Sequence, residues 1–286
     1  MSDSSIQKWL LAEHQHRNQT TLELRSVFDQ HRQRVMHLLK RVAREKAGRL
    51  CVLGAGNCND LQLDELLIAF ELIVLVDIDQ AAVKSAVAHS IPETQRDRIH
   101  VADSTDVSGV FEYLQAIDKN DLHTIQTSHL LHLLSRQQHI PMAPFDCIAS
   151  TCLLSELIDS VFLAMGGNHP ALASVILALR RQHLRTMVQS LCAGGFGLVI
   201  FDFISSQTLP ELMCIDESIL NSVLVNAINE KNFFTGLNPF AVQAELQTHP
   251  DFLGLVTDVR LHSPWRWDLG HKQFAVSTIS FRRSLT

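Results

Sequence analysis

The sequence predicts an α/β fold, a doubly wound and mostly parallel sheet that closes on an antiparallel pair and carries a helical N-terminal extension. Three observations predict it. Short, unbroken apolar runs recur, as strands buried on both faces require. Segments with apolar residues three and four apart separate those runs. Glycines or acids stand where several runs end, at the turns into the following helices.

The elements follow in order. Residues 1–49 read as helical: Ile6 and Leu10, then Leu22, Leu24 and Phe28, then Val35, Leu38, Leu39 and Val42 recur at helical spacing, and Gly48 suits a helix end. Leu50 to Leu53 is the first strand and runs into Gly54-Ala55-Gly56. Asp60 to Phe70 is a helix, Ile73 to Asp77 the second strand, and Gln80 to Ser90 a helix stopped by Pro92. His100 to Asp103 is a weak third strand, and Val107 to Ile140 is mostly helical in pattern. Phe145 to Thr151 is the fourth strand. Helices from Leu153 to Met165 and from Ala171 to Leu191 follow, split by Gly166 to Pro170. Leu198 to Phe203 is the fifth strand, and helix fills most of the chain to Thr248. Leu255 to His262 and Phe274 to Phe281 are joined by a stretch too short for a helical crossover, so they pair antiparallel. No repeat or low-complexity linker interrupts the pattern, which reads as one domain, 49–286, behind an extension, 1–48.

Composition narrows the classes. A formal charge of −6 over 286 residues argues against coating nucleic acid through a global positive field. The longest apolar candidate, Leu66 to Val76, is broken by Glu71 and is too short to span a bilayer. The N-terminus lacks the apolar core and cleavage site of a signal peptide. None of the six cysteines forms CxxC, and four lie in or beside apolar runs. That usage fits buried free thiols in a reducing, cytoplasmic compartment and no metal centre. The spacings His14/His16 and His129/His132 give neither HExxH nor a Cys/His ligand set.

The strand ends carry the functional argument. Gly54 and Gly56 let the backbone turn sharply and approach a ligand without a Cβ in the way. Asp77, 21 residues after Gly56, ends the second strand, where a carboxylate can accept both hydroxyls of a ribose. Asp103 ends the third, placed for an adenine amino group. Singly, each has an ordinary reading: a tight turn, or a helix cap such as Asp79 before Gln80. Together and in order they point to an adenosine-bearing ligand. A dinucleotide asks for a third glycine, where this chain has Asn59. S-adenosylmethionine makes no such demand, and the terminal strand pair also favours it.

Leu50 to Asp60, Ile73 to Asp79, Ile99 to Asp103, Phe145 to Thr151 and Gly194 to Phe203 resemble successive motifs of the class I S-adenosylmethionine-dependent methyltransferases. The resemblance covers about residues 48–283. It implies a seven-stranded sheet with its final strand inserted antiparallel. It implies that Gly54, Ala55, Gly56 and Asn57 flank the methionine part of the cofactor, that Asp77 holds the ribose and Ile78 packs on adenine, and that Asp103 and Ser104 line the adenine edge. The chain departs from the pattern at Cys58, where the family often has glycine, and at Val52, where it often has an acid.

Methyl transfer is an in-line displacement on an already activated methyl, so positioning does most of the chemistry and a base is needed only if the acceptor must lose a proton. Candidates on the acceptor side are Ser150, Thr151, Cys152 and Glu156 after the fourth strand and Asp202 in the fifth, with Glu156 and Asp202 as catalytic candidates and Ser150 and Thr151 beside the cofactor. The Ser-Thr-Cys end of the fourth strand is not the [DN]PP[YF] signature, which disfavours base-amine and glutamine-amide acceptors. A small-molecule acceptor is the leading expectation, with the N-terminal helices and residues 204–249 as lid and wall. Seven Lys or Arg within residues 31–49 keep an RNA acceptor as the alternative, although a solvated amphipathic face explains them too. A binding protein without catalysis is the third reading and an oxidoreductase the fourth. Trp265 and Trp267, two of the three tryptophans, either stack on substrate or cover the sheet edge.

Overall fold

The computed structural model describes residues 9–45, 48–117 and 125–285. Ile6, Lys46 and the centre of the 107–140 stretch lie outside them. The strands are β1 (Arg49–Leu53), β2 (Leu72–Val76), β3 (Ile99–Val101), β4 (Phe145–Thr151), β5 (Leu191–Ser205), β6 (Val256–Leu261), β7 (Trp265–Asp268) and β8 (Gln273–Arg283). The sheet order is β3-β2-β1-β4-β5-β8-β6, with β7 also paired to β8. The first five strands run parallel, and β8 enters antiparallel beside β5. This is the class I methyltransferase arrangement that the resemblance implied, with eight strands in place of seven. The extra strand has a simple cause. Pro264, which has no N–H to donate, interrupts the edge, so β6 pairs with the second half of β8 and β7 with the first. Within β6 the register shifts between Thr257 and Arg260, and Asp258 is left-handed, with φ +53°.

Helices cover both faces. On one, α5 (Phe111–Gln115), α6 (Thr127–Ser135), α7 (Leu153–Met165), α8 (Leu172–Gln189), α9 (Glu217–Asn229) and α10 (Pro239–Thr248) bury Cys51, Leu53, Val74, Val76 and Ile148. On the other, α2 (Asp29–Glu45), α3 (Leu63–Ala69) and α4 (Gln80–Ser90) bury the alternating set Leu50, Val52, Ile73, Leu75, Cys147 and Ala149. This two-sided burial is why these strands read as continuous apolar runs. The amphipathic α2 contributes Val35, Leu38, Leu39 and Val42 from one face. A further helix, α1 (Trp9–Thr21), packs through Leu10 into the first core.

Several boundaries differ from expectation. The N-terminal helical region is two helices joined through residues 22–28. The helix expected from Asp60 begins at Leu63, because the preceding loop is held open: Arg25 donates to the carbonyls of Cys58 (3.2 Å) and Leu61 (3.2 Å), and Arg32 to that of Asn59 (2.7 Å). The fifth strand extends well beyond residues 198–203: β8 pairs with it from Phe196 to Ser205, and Leu191 pairs with Phe145 of β4.

Candidate active site

The end of β1 is tied directly to the end of β2. Gly54 has φ +78° and Gly56 φ +43°, conformations that favour glycine, and a Cβ at Gly54 would stand 2.7 Å from Leu153 Cβ in α7. The N–H groups of Gly54 and Ala55 both donate to the Val76 carbonyl, at 2.9 and 3.3 Å. The Gly56 N–H donates to Asp77 Oδ2 and the Asp79 N–H to Asp77 Oδ1, each at 2.8 Å. Burial pushes the Asp77 carboxyl upward, and these two bonds oppose the shift. The β3 end joins the same rim. The Thr105 N–H donates to the Asp77 carbonyl (3.1 Å), Ser104 Oγ to the Ile78 carbonyl (2.5 Å), and Gln80 Nε2 to both the Ala102 carbonyl (3.0 Å) and Asp103 Oδ1 (3.1 Å). Asp79 also caps α4, accepting from the Ala82 N–H at 3.2 Å.

The rim fits an adenosine-bearing cofactor. After one N–H bond each, the Asp77 oxygens retain acceptor capacity for a pair of hydroxyls, while Leu153 stands against Gly54 and Asn18 against Gly56. Two expected contributors are engaged elsewhere. Asn57 turns its amide to α1, onto the Asn18 carbonyl and Thr21 Oγ1. Ser150 is fully buried, with Oγ 2.8 Å from His183 Nε2, so its side chain faces α8 and not the rim. Thr151 Oγ1 donates to the Gly54 carbonyl at 3.3 Å and braces the loop.

The α1 helix crosses over this loop. Asn18 Nδ2 donates to Asp79 Oδ2 (3.0 Å), Asn59 Nδ2 donates to the Thr21 carbonyl (2.9 Å), and Asn18 Oδ1 would lie 2.9 Å from a Cβ at Gly56. Its other side holds α7: His14 is 3.0 Å from Ser160 Oγ and 3.7 Å from Glu156, and Arg17 pairs with Asp159 at 2.5 Å. A ligand that reaches Gly56 therefore passes beneath α1 or displaces Asn18.

Acids gather around the ends of β1, β4 and β5. Glu156 lies in the first turn of α7, and Asp202 on β5 accepts from Ser155 Oγ. Burial lifts the Asp202 carboxyl to about 6, Ser155 opposing and Glu156 adding. Asp60 is lifted to about 7, again chiefly by burial, with Glu156 and Asp202 adding and Arg32 opposing. Asp60 and its neighbour His31 were not expected as acceptor-side residues. Polar Asn57 to Asp60 just after the glycines was the one local signal, and it read as the start of a helix, with Asn57 or Asp60 as stand-ins toward the cofactor's ammonium for the acid that Val52 replaces.

His31, Asp60 and Cys152 place one ligand atom each within 4.8 Å of one another. The trio does not suit a metal. Trp265 Nε1, a donor only, points at His31 Nδ1 at 3.2 Å, which leaves the imidazole proton on Nε2, the atom that would have to ligate. Burial holds His31 at about 3, so the ring is neutral. All six cysteines are free and four are buried, as their placement in apolar runs predicted; burial lifts Cys58 to about 12.

The indoles cover the sheet edge. Trp265 is buried, and Trp267 stacks on His31 (4.4 Å between ring centroids) beside Phe28 (5.1 Å), clamping α2 to β7. Four of the basic residues of 31–49 have partners within the fold. Arg32 and Arg49 donate to backbone carbonyls, Lys40 pairs with Glu65, and Arg34 lies 3.6 Å from Glu217. Arg180 and Arg181 share Glu245, at 2.7 and 2.8 Å, and Arg185 reaches the Leu134 carbonyl and Asp251.

No family model and no curated protein sequence matches the chain. Solved structures similar to it include the methyltransferase domain of bacterial CtHen1-CN (16% identity, TM-score 0.46, 90% of this chain and 99% of that one). The N-methyltransferase NodS from Bradyrhizobium japonicum WM9 is similar at 12% identity and TM-score 0.40, over 88% and 96% of the two chains. The S-adenosylmethionine-dependent methyltransferase SibL is similar at 13% and 0.42; 84% of this chain is covered, but only 51% of that one. At such identities the function lies in this chain's own residues.

Proposed function

We propose that the protein is a cytoplasmic S-adenosylmethionine-dependent methyltransferase acting on a small-molecule acceptor. The observation that carries the reading is the direct bond from the Gly56 N–H to the Asp77 carboxylate (2.8 Å), with Ser104 and Asp103 tied into the same rim. The cofactor would supply a methyl group activated by a positive sulfur. Gly54 and Gly56 admit its methionine portion, Asp77 takes the ribose hydroxyls, and Ile78, Asp103 and Ser104 border the base.

The chain's main contribution is placement. Holding a nucleophile in near-attack geometry can supply roughly 7–11 kcal/mol of barrier reduction. Residues 1–48 act as a lid through α1, and Glu156 and Asp202 face the acceptor. A small acceptor is favoured over RNA because Arg32, Arg34, Lys40 and Arg49 already have partners within the fold. Buried free thiols agree with a reducing compartment, and among the described residues no helix is long and apolar enough to cross a membrane. Titration calorimetry with S-adenosylhomocysteine tests the reading: the protein binds it, and Asp77→Ala abolishes the heat. No binding to the unaltered protein would end the proposal.

A further inference from the structure

The acids beside the cofactor rim have a feature that the cofactor does not use. His31 is fully buried, and its Nε2 has no hydrogen-bond partner among the described residues; nor has Asp60 Oδ1, which it faces at 3.5 Å. The indole of Trp265 keeps the His31 proton on Nε2, so the imidazole turns its N–H toward Asp60 and stands behind that carboxylate without bonding it. The Asp60 side chain remains 16% exposed. Charged and titratable groups face Asp60 from every side. His31 and Arg32 come from α2, Arg25 and Cys58 lie near the loop, Cys152 and Glu156 sit at the start of α7, and Asp202 lies on β5. Arg32 is turned to the carbonyls of Arg25 and Asn59 and to Asp29. Lys272 is a positive group near Asp202 and Arg17 one near Glu156, with the His14 imidazole 3.7 Å from Glu156. The balance at Asp60 is negative, and a bound cation would relieve it.

Resting on the methyltransferase reading, we propose that the acceptor is an amine that enters as its ammonium ion, and that Asp60, backed by the Trp265–His31 pair, takes its proton. The ionised Asp60 carboxylate accepts one proton from R–NH3+, leaving R–NH2. The freed nitrogen pair forms the N–C bond as the C–S bond breaks, and that bonding pair stays on sulfur. Positive charge thus passes from the sulfonium to the methylated nitrogen. Raising the Asp60 carboxyl to about 7 suits this step, because a base near neutral pH is both available and strong enough.

The experiment has three arms. Calorimetry with S-adenosylhomocysteine comes first; its failure removes the cofactor reading and this proposal with it. In the second arm, the full chain is given labelled S-adenosylmethionine with benzylamine, phenethylamine and putrescine, and separately with the matching alcohols. Amines are expected to be methylated and alcohols not. Asp60→Asn should lose about 100-fold in kcat while S-adenosylhomocysteine affinity stays within about threefold. In the third arm, which needs no turnover, carbon NMR follows the Asp60 carboxyl. It should titrate near neutral pH, and Trp265→Phe, which lets the His31 proton move, should shift its midpoint. With cofactor bound, four outcomes would overturn the proposal: no amine is methylated, alcohols serve equally well, Asp60→Asn weakens cofactor binding as much as turnover, or Asp60 titrates as an ordinary exposed acid.

Discussion

The two halves of the proposed site are built differently. On the side proposed for the cofactor, Asp77 has both oxygens bonded to backbone N–H groups from residues close to it in sequence or strand order. On the side proposed for the acceptor, Asp60 keeps an unbonded oxygen, and Asp202 accepts from the Ser155 hydroxyl and from one backbone N–H. One half is a backbone frame, fixed before any ligand arrives. The other is a set of buried acids whose charge depends on pH and on what binds. In the proposed function the frame would set where the cofactor lies, and the acids would face the acceptor.

The largest expected effect breaks the frame. Asp77→Ala should weaken S-adenosylhomocysteine about 100-fold, close to 2.7 kcal/mol, since it removes the ribose acceptor and releases the Gly56 and Asp79 N–H groups together. Direct titration checks it. Gly54→Ala tests the frame's rigidity. It forces a side chain into a left-handed position against Leu153, and should cost about 2–3 kcal/mol in urea unfolding.

The acceptor half should show itself in pH dependence. His31 at about 3 and His183 at about 4 stay neutral in the fold but protonate near 6.5 when unfolded, so they favour the fold increasingly as pH rises from about 4 to 6.5. Asp60 at about 7 and Asp202 at about 6 keep their protons in the fold but lose them near 3.8 when unfolded, so their contribution falls with pH over nearly the same window. These four groups oppose one another and leave a plateau there. Asp60→Asn removes one falling contribution, so its stability should climb by about 1.4 kcal/mol per pH unit across that window. Urea midpoints at half-unit intervals decide it. The smallest effect is at the lid: Asn18→Ala should tighten S-adenosylhomocysteine by about threefold, roughly 0.6 kcal/mol, by removing the amide that stands over Gly56.

The same contrast explains what could be read from the chain. The placement of Gly54, Gly56, Asp77 and Asp103 on one rim was legible because it follows from position at successive strand ends, a short-range property. Asp79 as a helix cap was legible for the same reason. His31, Asp60, Cys152 and Trp265 were not legible as a group. Trp265 and His31 are 234 positions apart, and only the docking of α2 under β7 brings them together. Ser150 was misleading because strand alternation turns it toward α8, and its place at the strand end was a weaker guide than that parity. The strand break at Pro264 was visible as a proline, but pairing on either side of it depends on the length of β8.

That broken edge affects how the molecule meets its own copies. A long, flat outer strand would offer a template on which another chain could extend the sheet. Here the outer row is bulged at Asp258 and cut at Pro264, so an incoming strand would lose register within a few residues. The opposite margin, β3, spans only Ile99–Val101. Both ends of the sheet therefore resist sheet-to-sheet aggregation, and concentrated solutions should stay free of fibrils.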